Sequence, residues 1–279
     1  MRVDFHSHIF APSLRSNRQT SLQRDSTLRA MYGSPKARMA SAEELVEDMD
    51  KAAIDVAVVM GVGWTDPSLA RESNDYIVES VNRYPQKLVG FCSINPVWGN
   101  KALDEIKRCA SLGLKGIGEI HSDNQGFDLG NRDLMDPLME VARNLQMPIL
   151  IHSSEPLGHQ YAGKGHTTPA KLYQFILNFP NNLIVCAHWG GGLPFYALMP
   201  EVSQALRNVY FDTSASPFLY RFEVFSEVVR LVTPQKILFA SDYPLLSYQR
   251  YFKDIESASL SAGDMELIMG NNAMELLRL

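Results

Sequence analysis

Seven histidines are the residues of this chain best suited to chemistry, because imidazole binds metals and transfers protons near neutral pH. They are His6, His8, His121, His152, His159, His166 and His188. None falls in a predicted helix, and each lies at the end of a predicted strand or in the loop that follows one. The carboxyl ends of parallel strands meet at one face of a barrel, so we expect these side chains to gather there.

Four of these histidines and one aspartate are typical of a divalent-metal site. His6 and His8 are two residues apart at a strand end, and alternation places both on one side of the strand. Singly, a histidine also fits a bond to a carbonyl, and an aspartate fits a helix cap. Gathered at one rim, they are costly to bury without a cation. The predicted ligands are His6, His8, His152 and Asp242, with His188 as a ligand or an acid/base.

Glu119 and His121 end the fourth predicted strand. Glu119 is a further candidate metal ligand that bridges two ions, binds one, or contacts substrate instead. An ion pair on the rim is its structural alternative. His121 shares the same side of the strand and is predicted to contact substrate or to support a ligand.

The donor set indicates which metal and which reaction to expect. Imidazole and carboxylate without thiolate suit Zn, Mn, Fe or Co better than Ca or Mg, and we expect zinc first. A catalytic metal keeps a position open for water and lowers the pKa of that water towards neutrality. Asp242 is then the predicted base, and Asp242 and His188 are the predicted catalytic residues. This chemistry predicts hydrolysis of an amide, ester or lactone bond in a small, anionic substrate.

The segment after the fifth predicted strand is dense in polar side chains and glycines. It predicts contacts with an anionic or hydroxylated substrate, and a solvated loop without a role is the alternative. The candidate substrate-binding residues here are Glu155, His159, Tyr161, Lys164 and His166. With His121, they complete the predicted site.

Eight short apolar runs alternate with longer amphipathic segments. The predicted strands are Arg2–His6, Asp55–Met60, Leu88–Ile94, Lys115–Ile120, Pro148–His152, Leu183–His188, Asn208–Asp212 and Lys236–Ser241. The predicted helices are Ala42–Lys51, Pro67–Tyr84, Asn100–Leu112, Asp133–Gln146, Thr168–Asn178, Leu193–Leu206 and Leu219–Val232. This pattern predicts one α/β domain over residues 1–279, a distorted (β/α)8 TIM-type barrel, with an open doubly wound sheet as the alternative.

Residues 9–40 are the one irregular stretch in this pattern. They are polar, basic in places, and follow the first strand, so they would overhang the carboxyl end of the barrel. We interpret them as a lid or an oligomer contact, and a surface excursion without a role is the alternative.

Composition narrows the class of protein. The chain has 279 residues, 46% of them hydrophobic and 20% charged, which is enough apolar material for one large core. A net charge of −5 argues against broad nucleic-acid binding. Three scattered cysteines predict free thiols in a reducing compartment. The polar N-terminus and the lack of a long apolar run predict a cytoplasmic protein with no membrane contact.

These residues together resemble the amidohydrolase superfamily, specifically its amidohydrolase-related (amidohydrolase 2) group. The resemblance runs the full length of the chain and rests on five segments. They are Asp4-Phe5-His6-Ser7-His8, His152, Ala187-His188-Trp189-Gly190-Gly191, Ala240-Ser241-Asp242-Tyr243-Pro244 and Gly270-Asn271-Asn272-Ala273. The resemblance implies a distorted barrel with one or two divalent metals, often zinc, and a homo-oligomer.

The resemblance leaves the reaction open. The group contains hydrolases, lactonases, hydratases and non-oxidative decarboxylases of aromatic or unsaturated acids. In decarboxylase-like members the positions matching His6, His8, His152 and Asp242 hold one metal, and the position matching His188 is an acid/base. Glu119 stands where other members carry a carboxylated lysine, and it is similar to the glutamate of TatD-like deoxyribonucleases.

We predict a metal-dependent hydrolase, with a decarboxylase or hydratase on the same scaffold as the alternative. Release of CO2, set against water-dependent cleavage, separates the two reactions. A metal-dependent nuclease is disfavoured by the acidic charge and the lack of a basic, aromatic-rich stripe. A binding barrel without catalysis predicts a metal-free protein whose rim histidines are dispensable.

Overall fold

Eight parallel strands close into a barrel in the computed structural model, which describes residues 1–279. The strands are β1 (Val3–His8), β2 (Val56–Met60), β3 (Leu88–Cys92), β4 (Gly116–Ile120), β5 (Ile149–Ile151), β6 (Ile184–Cys186), β7 (Val209–Asp212) and β8 (Ile237–Leu238). They pair in chain order, and β1 meets β8 where the Phe5 N–H donates to the Phe239 carbonyl at 2.9 Å. This order confirms the distorted (β/α)8 barrel, because the strand order of a doubly wound sheet reverses within the sheet.

Alternate strand positions pack into two separate layers, which explains why the predicted strands are apolar on both faces. Val58 belongs to a cluster of 15 buried residues in the barrel interior. Val59, its neighbour, belongs to a cluster of 64 buried residues between the strands and the surrounding helices. Burial on both faces fixes the strands, and with them the rim that carries the candidate site.

Helices surround the barrel and begin at recognisable caps. Asp66 accepts the N–H groups of Ser68 and Leu69 at the start of helix Pro67–Arg83. The helices are Pro12–Ser16, Arg18–Arg24, Ser26–Tyr32, Ala42–Ala52, Pro67–Arg83, Asn100–Ser111, Ser122–Gln125, Arg132–Asn144, Pro169–Asn178, Pro200–Ala205, Ser216–Leu219, Val224–Val232, Tyr248–Ser257, Ala262–Glu266 and Asn272–Leu277. None of them combines the length and the hydropathy that a membrane span requires.

Two predicted helices are wrong in extent. The segment Leu193–Leu206 is a 3-10 turn over Leu193–Tyr196 followed by helix Pro200–Ala205. Proline lacks a backbone donor and is best accommodated in the first turn of a helix, which is the position of Pro200 in the second piece. The segment Leu219–Val232 is also divided, because Tyr220 adopts an extended backbone.

The stretch 9–40 is helical instead of irregular. It forms three short helices, each too short to show the periodicity by which helices are predicted from sequence. Asp25 caps the third of them and also accepts the N–H groups of Thr65 and Asp66 at 2.7 and 2.9 Å. These bonds fasten the excursion to the loop after β2 and so hold it over the mouth of the barrel.

Candidate metal centre and active site

His6 and His8 at the end of β1 turn their Nε2 atoms towards each other. Their Nδ1 atoms donate to the Asp212 carboxylate at 2.9 Å and to the Gly61 carbonyl at 3.1 Å. In neutral rings both Nε2 atoms then carry lone pairs, and they lie 3.1 Å apart. Two neutral acceptors cannot bond to each other, so this contact holds either a proton or a metal ion between the two nitrogens.

The carboxylates around His6 and His8 favour that cation. Burial alone would lower the pKa of His6, but the charges of Asp212, Glu119 and Asp242 raise it to about 10. The carboxylates that stabilise a proton on His6 in the metal-free chain would stabilise a metal cation at the same place. The pKa of Asp242 falls to about 2, because the hydrogen bond with His8 and the histidine charges outweigh the effect of burial.

Glu119 and Asp242 complete the set of donors around this point. The Oε2 atom of Glu119 is buried without any hydrogen-bond partner, 3.8 Å from Nε2 of both His6 and His8. The Oδ1 atom of Asp242 lies 3.3 Å from Nε2 of His8 and 3.9 Å from that of His6. Ligands about 2.0–2.2 Å from one ion lie roughly 3–4 Å apart, so this set of donors fits a divalent metal.

His152 and His188 lie on the other side of Glu119. Nδ1 of His152 donates to Oε1 of Glu119 at 2.8 Å, and Nε2 of His188 lies 3.7 Å from the same oxygen. Nε2 of His152 faces the Lys164 carbonyl at 3.0 Å, so Nδ1 is the nitrogen of His152 on the side of the other donors. The rim therefore holds two groups of three donors that share Glu119.

The ring of His188 is fixed through Nδ1, and its Nε2 faces Nδ1 of His152 at 3.3 Å. His188 follows β6 in a left-handed turn with φ 54°. The Ser214 hydroxyl donates to Asp212, so its oxygen accepts from Nδ1 of His188 at 2.8 Å. Burial would lower the pKa of His188, but the nearby carboxylates of Glu119, Asp242 and Asp212 raise it to about 9. Its Nε2 is consequently the nitrogen that gains or loses a proton.

Asp212 is a site residue that the sequence analysis missed. One oxygen accepts from Nδ1 of His6, and the other accepts the backbone N–H of His188 at 2.9 Å. Asp212 is the last residue of β7, so the rule that found the other rim residues also applies to it. It was not singled out because the sequence analysis followed the histidines, and no histidine lies near that strand end.

A cavity of about 500 Å³ opens beside these residues. His152, His188 and Asp242 line it from the strand ends, and His159 and Tyr161 line it from the loop after β5. The remaining lining residues are Met31, Tyr32, Lys36, Ala37, Arg38, Ala162, Gly163, Ala215, Phe218, Leu219, Pro244 and Leu245. The cavity is mainly apolar with a few polar groups, which is typical of a small-molecule site.

Of the predicted substrate-binding residues, only His159 and Tyr161 line this cavity. His121 is stacked against the far face of His152, with ring centroids 4.0 Å apart. Burial and the neighbouring His152 lower its pKa to about 4, so His121 is neutral. Its place behind a candidate ligand fits a supporting role.

The other three predicted residues lie in the loop but away from the cavity lining. The Lys164 amine donates to the carbonyls of Leu157 and His159 at 2.8 and 3.0 Å and so holds the loop closed. His166 is exposed and its backbone N–H bonds to Asp123. Both carboxylate oxygens of Glu155 are buried without a hydrogen-bond partner.

Residues 31–38 of the excursion contribute side chains that the sequence analysis did not single out. Tyr32 is buried, and its pKa is raised by burial and by the charge of Asp242. Arg38 pairs with Asp48 at 3.2 Å and lies over the Tyr243 ring. These residues have no periodic pattern, and only the path of the three helices brings them to the cavity.

Comparison with known proteins places this geometry in a family. The sequence profile of the amidohydrolase family matches residues 3–279. Over 267 residues the chain is 26% identical to 2-amino-3-carboxymuconate-6-semialdehyde decarboxylase of Dictyostelium discoideum, covering 84% of this chain and 74% of that protein. Over 255 residues it is 23% identical to gamma-resorcylate decarboxylase of a Polaromonas species, covering 75% and 76%.

A solved structure shares the fold. The 5-carboxyvanillate decarboxylase of Novosphingobium aromaticivorans, in complex with manganese and 4-hydroxy-3-methoxy-5-nitrobenzoic acid, superposes with a TM-score of 0.78. The identity is 21%, and the match covers 100% of this chain and 96% of that one.

The prediction of a hydrolase is wrong, because both curated relatives are named decarboxylases, which are lyases. The predicted ligands are common to both reactions and do not distinguish them, whereas the family itself was predicted correctly. With a profile match over nearly its whole length, this chain belongs to the amidohydrolase family.

Proposed function

We propose that this chain is a metal-dependent, non-oxidative decarboxylase of a small aromatic or unsaturated carboxylic acid. The observation that carries the proposal is the similarity, over three quarters of the chain or more, to two curated decarboxylases that act on such acids. The set of donors at the mouth of the barrel supports the metal requirement.

His6, His8, His152 and Asp242 are the proposed metal ligands, and Glu119 is the neighbour that takes up a second position or a second ion. When bound, the metal supplies a positive charge that binds and orients the anionic substrate. Zinc stays a prediction, and a manganese-containing structure of the same fold makes Mn²⁺ the other metal to compare. The shared position of Glu119 between two groups of donors supports either one ion or two.

His188 is the proposed acid. The bond between the substrate carbon and its carboxyl carbon breaks, CO2 leaves, and the electron pair stays on the substrate carbon. A proton from Nε2 of His188 then bonds to that carbon. Ser214 supports this role, because it keeps Nδ1 occupied and leaves Nε2 directed at the cavity. Asp242 is proposed as a ligand and not as a base.

The proposed substrate contacts are the polar side chains on the wall opposite the metal. His159, Tyr161 and Lys36 line the cavity there, and the positive charge of Lys36 favours an acid. Glu155, Lys164 and His166 shape the loop that carries two of these contacts. His121 supports His152 through ring stacking.

The proposal is tested with protein reconstituted with Mn²⁺ or Zn²⁺ and a panel containing 2,6-dihydroxybenzoate, 5-carboxyvanillate and related hydroxybenzoates. We expect CO2 release that depends on metal. In heavy water each product molecule should carry one deuterium where the carboxylate was. A fully metal-loaded protein that releases no CO2 from the panel but opens lactones or esters would contradict the proposal.

A homo-oligomer is part of the proposal. Large apolar side chains remain exposed on the loops after β6 and β7, namely Phe195, Tyr196, Leu198, Met199, Phe218 and Phe222. Such a surface is typical of a protein contact. Light scattering after size exclusion measures the mass. A cytoplasmic location also stays a prediction, supported by three buried free cysteines.

A further inference from the structure

The first strand changes its alternation just before the candidate ligands. The pairing of β1 with β2 shifts register between Asp4 and Ser7. Phe5 belongs to the cluster in the barrel interior, so Asp4 faces outward, and strict alternation would send His6 outward with it. Ser7 instead shares the side of Asp4, and His6 and His8 both turn towards the mouth.

The carboxylate of Asp4 forms hydrogen bonds across this register shift in β1. Its Oδ1 accepts the backbone N–H of His6, two residues along the same strand, at 3.2 Å. It also accepts the backbone N–H of Ser241 at 2.9 Å. Its Oδ2 accepts the hydroxyls of Ser7, Ser241 and Tyr248 at 2.8, 2.5 and 2.9 Å. Asp4 is fully buried, and a buried carboxylate with five donors is a specific arrangement that few substitutions reproduce.

The same carboxylate joins the first strand to the last. Ser241 immediately precedes Asp242, and the Asp242 N–H donates to the His6 carbonyl at 2.9 Å. β8 itself contains only Ile237–Leu238, and the seam with β1 continues beyond it through backbone bonds such as that from the His8 N–H to the Tyr243 carbonyl at 2.7 Å. The bonds to Asp4 therefore help to set the separation of 3.3 Å between Nε2 of His8 and Oδ1 of Asp242.

We propose that Asp4 is a positioning residue whose carboxylate sets the bulge in β1 and its seam with β8. It thereby fixes the distance between the imidazoles of His6 and His8 and the carboxylate of Asp242. The inference rests on the metal-binding part of the proposed function and does not depend on the reaction. Asp4 touches neither the cavity nor the facing donor atoms, so its loss weakens metal binding, and saturating metal restores turnover.

Titration of metal-free protein with Mn²⁺, followed by the electron paramagnetic resonance of free Mn²⁺, tests this role. Asp4→Ala removes the acceptor of two backbone N–H groups, and we expect affinity to fall about 10–100-fold, as for other residues that orient ligands. Asp4→Asn keeps an oxygen for those N–H groups, and two of the three hydroxyls can rotate to accept from the two N–H bonds of its amide. We expect this variant to stay within about threefold of the wild type.

Tyr248→Phe is the matched control, because it removes one bond to Oδ2 and leaves both backbone acceptors in place. It should bind Mn²⁺ like the wild type. Should Asp4→Ala fail to fold, as judged by thermal unfolding without metal, Asp4→Ser replaces it with a shorter acceptor and an intermediate loss. Wild-type affinity in the Ala or Ser variant overturns the inference, and so does an Asn variant as weak as the Ala variant. Failure of the proposed decarboxylation has a different signature, namely a wild type that binds Mn²⁺ and releases no CO2.

Discussion

The two walls of the cavity are built differently. One carries His152, His188 and Asp242 directly after strands, and each is bonded to other rim residues. The opposite wall comes from residues 31–38 and from the loop after β5, where Lys36 and His159 are exposed. Side chains that follow strands are held in place before anything binds, whereas exposed loop side chains are adjustable.

This difference suggests a division of tasks. The strand-end wall is rigid enough to hold a metal and a proton donor at fixed distances, and the loop wall is free to vary with the substrate. Substitutions in the first wall should stop the reaction or release the metal. Substitutions in the second should change the concentration at which substrate binds. The following predictions test that division, beginning with the largest effect.

His6→Ala should abolish turnover and remove the metal. His6 supplies one of the two facing Nε2 atoms. Loss of a residue that only hydrogen-bonds to a metal ligand lowers metal affinity about 10–100-fold, so loss of a ligand itself should lower it further. Elemental analysis after dialysis gives the metal content, and CO2 release gives turnover. Full metal content in this variant would remove His6 from the ligand set.

His188→Asn should lower kcat by about 10²–10⁴-fold, the range for loss of an acid/base group, while the metal stays bound. The measurements are kcat at saturating substrate and metal content on the same preparation. A loss of metal that parallels the loss of turnover would make His188 a ligand. His188 would then hold the metal instead of donating a proton, and it would still belong to the strand-end wall.

Asp212→Asn should weaken metal binding about 10–100-fold, because the amide no longer fixes the tautomer of His6. Turnover at saturating metal should also fall, since the other oxygen of Asp212 anchors the backbone of His188. Chelator competition and kcat at high metal separate the two effects. An unchanged affinity would show that His6 is oriented by packing alone.

Lys36→Gln on the loop wall should raise KM about two- to fivefold, the size expected for an exposed charge, and leave kcat and metal content unchanged. Added salt should reduce the difference from the wild type, because it screens exposed charges. Lys101→Gln, an exposed lysine outside the cavity lining, is the control. A large fall in kcat would place Lys36 among the reacting groups and end the simple division between the walls.

Ser41→Ala should have the smallest effect, a loss of about 1 kcal/mol in the free energy of unfolding with no change in KM or metal content. The Ser41 hydroxyl caps helix Ala42–Ala52 together with Glu44, outside the cavity lining. Chemical denaturation provides the measurement. A change in KM would mean that loss of this helix cap also alters the loop wall and its binding of substrate.

The strand-end wall was predictable from sequence, and the loop wall was largely not. Apolar runs locate strand ends, and in a barrel strand ends converge, so His6, His8 and Asp242 followed from position alone. Lys36 and Arg38 depend on the path of three short helices, which no local pattern specifies. Whether Lys164 reaches the cavity or bends back to backbone carbonyls is likewise a tertiary outcome.

The reaction could not be derived from the ligands. A metal bound by the proposed ligands His6, His8, His152 and Asp242 would suit hydrolysis and decarboxylation equally, because a cation that binds an oxygen of the substrate assists both reactions. Similarity to curated relatives decided between them.

Each carboxylate oxygen of Asp212 accepts a hydrogen bond from a different histidine, and this limits which residues can replace it. Any replacement must accept from an imidazole on one side and a peptide N–H on the other. A saturation library of rim positions should therefore return many functional clones at His159 and Lys36 and almost none at Asp212. Directed evolution towards new acids should therefore vary the loop residues and leave Asp212 unchanged.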